Sequence, residues 1–173
     1  MSSLDRLAEM LRAQGGLMSG LLPATLADQG IALDSQGPAQ IAAAGPRAEG
    51  NPEEYELLVD AIYEGYLLHY GAPRLLRPPE ADLGLLAGDQ LYALGLAQLV
   101  ALGDLVAVAE LADVITLSAL GQGAGEGELA GAIWIAGART VGWGPSERYR
   151  QAKELAFARS PEATAAMLAC ATS

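Results

Sequence analysis

The sequence predicts an all-α fold, a single-domain helical bundle, on three observations. Apolar residues make up 51% of the 173-residue chain but aromatics only 5%, so a core must be built from Leu, Ala, Val and Ile. Ala and Leu lose little freedom in a helix, whereas strands favour β-branched and aromatic side chains. Apolar residues also recur at helical spacing in successive segments, separated by Gly, Pro, Asn and Ser stop-and-start signals. The length suits one domain with its own core.

The first helix is expected from Ser2 or Ser3, with Leu4, Leu7, Met10 and Leu11 on one face and Gly15-Gly16 as its stop. A second short helix is expected over Leu17 to Asp28. Residues 30–50 read as Gly, Pro, Ala, Gln and Ser with little periodicity, which predicts a linker without regular structure. The expected organisation is therefore an N-terminal helical arm (1–29), a linker (30–50) and a bundle (51–173).

Asn51-Pro52-Glu53-Glu54 is a helix-start signal: a capping residue, a proline for the first turn and two acids for the positive helix end. Tyr55, Leu58, Val59, Ile62 and Tyr66 then share a face until Gly71-Ala72-Pro73. The next helix, from about Pro79 to Leu102, is apolar almost all round and reads as a central buried helix. Gly84, Gly88 and Gly95 lie near one side of it, where another helix could approach closely.

Gly103-Asp104 is a stop followed by an N-cap, and it predicts an antiparallel hairpin at the centre of the fold. Leu105, Val108, Ala112, Ile115 and Ala119 form the expected stripe of the following helix. Gly121 to Gly127 breaks regular structure. A helix over Glu128 to Arg139 carries Trp134, although Ile133-Trp134-Ile135 leaves a short strand open. Pro145 opens another helix, and Ser160-Pro161-Glu162 caps a last one ending near Cys170.

Charge and composition exclude several functions. Twenty-one acidic against ten basic residues give a net charge of −11, unlike the basic surface that displaces counterions from phosphates, so no nucleic-acid partner is expected. One cysteine excludes an internal disulfide framework and a Cys-rich zinc site. The first residues lack the pattern of a secretory signal. The apolar stretch from Ala93 to Leu120 is interrupted by Asp104, Glu110 and Asp113, so no transmembrane segment is expected. A cytoplasmic location follows as the expectation, and a mean hydropathy of +0.24 suggests that a partner covers some apolar surface.

Few residues could carry chemistry. His69, the sole histidine, falls at a helix C-terminus, where a cap is its expected role. The run Gly121-Gln122-Gly123-Ala124-Gly125 lacks the lysine of a phosphate loop and reads as a hinge. Glu56, Asp60 and Glu64 follow at i, i+4 and i+8 on one side of a helix. Such oxygens suit Mg²⁺, but an acidic stripe is more often a solvated face. Asp89 sits among Leu85, Leu86, Tyr92 and Ala93, and is expected to be buried against a structural partner.

The stretch Leu85-Leu86-Ala87-Gly88-Asp89-Gln90-Leu91-Tyr92-Ala93-Leu94 resembles the "AGDYLLA" helix of all-α trans-isoprenyl diphosphate synthases. Asp60-Ala61-Ile62-Tyr63-Glu64 stands about where that family carries its first DDxxD motif, with acids at the first and last positions and Ala61 in place of the second. The resemblance covers roughly residues 54–122. It implies a reduced isoprenoid-synthase-like fold, with Asp60 and Glu64 as candidate Mg²⁺ ligands and a prenyl diphosphate as ligand. In intact members, two aspartate-rich helices hold three Mg²⁺ ions that assist diphosphate ionisation. Here the second aspartate-rich motif is not found, and Arg74 and Arg77 stand apart rather than paired. Some prenyl synthases use a small non-catalytic subunit that lacks the metal motifs.

The expected function is therefore a non-catalytic helical subunit or interaction protein that docks on a protein partner or on copies of itself, with no cofactor. One alternative is a Mg²⁺-dependent prenyl-diphosphate binder or prenyl-synthase-like enzyme using Asp60, Glu64 and Asp89. Another is a carrier enclosing a small apolar ligand.

Overall fold

The computed structural model describes residues 1–24 and 37–172. Among them are nine α-helices and no strand: α1 (Ser3–Gln14), α2 (Gly16–Gly20), α3 (Pro38–Ala43), α4 (Pro52–Tyr70), α5 (Ala81–Ala101), α6 (Leu105–Gly123), α7 (Gly127–Trp143), α8 (Glu147–Phe157) and α9 (Ala163–Ala171). A 3₁₀ turn, Pro46–Ala48, links α3 to α4.

Local signals set most boundaries. At α1 the Ser2 hydroxyl accepts the Asp5 N–H while the Asp5 carboxylate accepts the Ser2 N–H, a reciprocal capping box. Asn51 holds the N-cap position of α4 and Pro52 its first turn. Gly103, at φ 80°, turns the chain between α5 and α6, and the Asp104 carboxylate caps α6 by accepting the Ala107 N–H at 3.0 Å. Ser146, rather than Pro145, caps α8.

The core is organised around α4 and α7, which are buried on nearly every side. Helix α5 packs on α4, α6 packs on α7, α3 bridges α4 and α7, and α9 lies on α7 beneath α8. Leu58, Ile62, Leu99, Leu111, Ile133 and Trp134 anchor the main apolar cluster. Removing one such side chain costs about 2–5 kcal/mol, through lost transfer energy plus the cavity left behind. Trp134 meets the Tyr63 ring edge-on at 4.9 Å and Tyr66 at 5.2 Å, so aromatic contacts close the space between α4 and α7.

Glycines make the tight seams. A Cβ on Gly65 would stand 2.9 Å from the Gly88 carbonyl, and one on Gly95 would strike Ile62. Gly45 and Gly142 bring the end of α3 against the α7 backbone with no room for either side chain. The close approach expected beside Gly88 and Gly95 is present.

Several expectations are corrected. Residues 38–43 and 46–48 are helical, with Ala39, Ala42 and Ala48 fully buried, so this part of the 30–50 segment is not an unstructured linker. Its alanines leave no amphipathic stripe to read, yet they fit where α3 must lie close to α4 and α7. Residues 30–36 lie outside the described residues, as do residues 25–28 of the expected second helix, which as α2 spans only Gly16–Gly20. Nor is α1 a free arm: Leu7, Ala8 and Leu11 are buried with Leu57, Ala61, Leu75 and Leu91 in a second cluster.

Helix α5 is not central, because only its glycine-bearing side is buried. Accordingly α5 and α6, although joined by the expected turn, pack chiefly on α4 and α7 and not as the central hairpin. In α6 the buried stripe is Ala107, Leu111, Val114, Leu117 and Ser118, whereas Leu105 and Ala112 face outward. Gly137 decides that face, since it seats the Val114 side chain where any Cβ would collide.

Candidate functional site

Asp60 and Glu64 stand one turn apart on α4, and the segment after α4 folds back across them. Both are buried, at 1% and 0% exposure, so they do not form a solvated face. Arg74 places Nη1 2.8 Å from Asp60 Oδ1 and Nε 3.3 Å from Glu64 Oε2. The Glu64 carboxylate also accepts the backbone N–H groups of Arg74 (3.0 Å), Leu75 (2.6 Å) and Leu76 (3.1 Å). The Ser3 hydroxyl, from the start of α1, donates to Asp60 Oδ2. The Arg74 guanidinium lies over the Tyr63 ring at 5.1 Å.

Every carboxylate oxygen of the pair thus has a protein partner. Three accept hydrogen bonds, and Asp60 Oδ1 faces Arg74 as an ion pair without an aligned hydrogen bond. Two carboxylates share one guanidinium, and the backbone donors at Glu64 offset the remaining negative charge. The arrangement ties α1, α4 and the 71–80 segment together. It does not fit Mg²⁺, which needs open carboxylate oxygens and room for its waters. Among the described residues, no three His, Cys, Asp or Glu side chains gather as a ligand set.

The other candidate residues are dispersed. Glu56 accepts from Gln40 of α3 at 2.9 Å. Asp89 is not buried: its side chain is 69% exposed, 3.2 Å from His69 Nε2. His69 also reaches the Leu85 carbonyl at 3.1 Å, and it fills the hollow over Gly88, so it joins α4 to α5 instead of ending α4 in solvent. Cys170 is buried in α9, where burial pushes its thiol pKa up, away from the reactive thiolate. Arg77 donates to the carbonyls of Pro73, Arg74 and Leu76.

Two polar centres escaped the sequence reading because their members lie far apart in the chain. Asp104, besides capping α6, accepts from Tyr55 at 2.6 Å and pairs with Arg47 at 2.7 Å, while Arg47 also donates to the Val141 carbonyl. Burial pushes the Asp104 carboxyl up, but these donors and the Ala107 N–H bring it below the usual carboxylate range. Lys153 of α8 bridges Glu110 (2.7 Å) and Asp113 (2.8 Å) of α6. Partial burial pulls its ammonium pKa down, and the two carboxylates outweigh this and raise it. A cleft of about 310 Å³ opens beside this group, lined by Glu110, Ser146, Tyr149, Arg150 and Lys153. Its cations are already paired, Arg150 with Glu147 and Glu154.

The most conspicuous surface feature is apolar. Leu85, Leu86, Val100, Leu102, Leu105 and Val106 are all exposed, from 42% at Leu102 to 64% at Leu105. They lie along α5, around its turn and onto α6. Both helices are long and apolar enough to cross a membrane by length and composition, with a third of each apolar window buried in the fold. Comparison with protein-family models, curated proteins and solved structures finds no match to this chain.

Proposed function

We propose that this chain is a non-catalytic helical subunit that docks on a protein partner through the outward face of α5 and α6. The observation that carries the reading is the run of exposed Leu and Val side chains from Leu85 to Val106. Exposed apolar side chains that gather, as Val100, Leu102, Leu105 and Val106 do around the α5–α6 turn, mark interaction sites, whereas scattered single residues do not. The closed state of Asp60 and Glu64 supports the non-catalytic part: Arg74, Ser3 and three backbone N–H groups already occupy the oxygens that a metal would need. The resemblance to isoprenyl diphosphate synthases suggests the class of assembly, one in which an accessory helical chain lacks the metal motifs.

The test is incubation of purified protein with Mg²⁺, an allylic diphosphate and isopentenyl diphosphate. The expected result is neither chain elongation nor diphosphate release. Turnover that disappears in Asp60→Ala would overturn the reading and make the acidic pair an active site.

A further inference from the structure

We draw no further inference here: the strongest candidate, the exposed apolar patch of Val100, Leu102, Leu105 and Val106 around the turn between α5 and α6, belongs to the docking surface already described, and nothing in the structure shows what covers it.

Discussion

Arg74 is the residue on which the buried acids depend. Without its guanidinium, Asp60 and Glu64 would face each other one turn apart, out of water, with only Ser3 and backbone donors. Removing one partner of a buried pair costs about 3–5 kcal/mol, because the remaining charge is left uncompensated. Arg74→Met should therefore lower the unfolding free energy measured by urea denaturation by that much, whereas removing an exposed pair such as Arg150–Glu147 should leave it nearly unchanged. Asp104 makes a second residue-scale prediction. Its folded pKa is lowered by donors from Tyr55, Ala107 and Arg47 against the opposing effect of burial. The stabilisation it supplies is thus complete above the ordinary carboxylate value near 4 and lost as pH falls through the folded value. Asp104→Asn should flatten that part of the stability profile, read by thermal unfolding between about pH 5 and pH 2. The i, i+4 spacing of Asp60 and Glu64 was legible in the sequence, but their burial was not. Ser3 lies 57 residues from Asp60, and only the fold brings it there.

At the scale of elements, glycine decides which side of an apolar helix goes in. Helices α5 and α6 carry apolar residues all round, so hydrophobic periodicity has no contrast from which to read a buried face. The seams do discriminate: Gly65 against Gly88, Gly95 against Ile62, and Gly137 against Val114. Gly65→Ala should push α4 and α5 apart, since the obstacle is the Gly88 backbone carbonyl and not a movable side-chain tip. The expected cost is about 1–3 kcal/mol. Gly131 on α7 provides the contrast, because an added Cβ there meets nothing within 4 Å. Gly131→Ala should stabilise by about 0.5–1 kcal/mol through helix propensity and reduced unfolded-state freedom. Chemical denaturation of both variants measures the difference in sign. Start signals placed the first turns of α1, α4 and α6 because they are local chemistry: side-chain caps at Ser2 and Asp104, and at α4 the Asn51-Pro52 pair with the proline in the first turn. Helix α3 was missed for the complementary reason: a six-residue helix held by its neighbours needs no strong signal of its own.

For the whole molecule, net charge and apolar burial act against each other, and salt shows which one governs stability. A charge of −11 on a chain this size destabilises the compact state through self-repulsion. A fold held by ion pairs weakens as salt rises. One formed by Leu and Val within an acidic body behaves in the opposite way, since ions screen the repulsion and leave burial of apolar area untouched. The Debye length falls from about 20 Å at about 20 mM salt to about 6 Å at about 300 mM, shorter than the breadth of one packed helix. Over that range the thermal midpoint should rise, measured at neutral pH by scanning calorimetry. The same sign should hold for Phe157→Asp, which adds charge at an exposed position of α8, with a steeper slope because there is more repulsion to screen. A midpoint that falls with salt would mean that ion pairs such as Arg74–Asp60 and Lys153–Glu110 outweigh the self-repulsion.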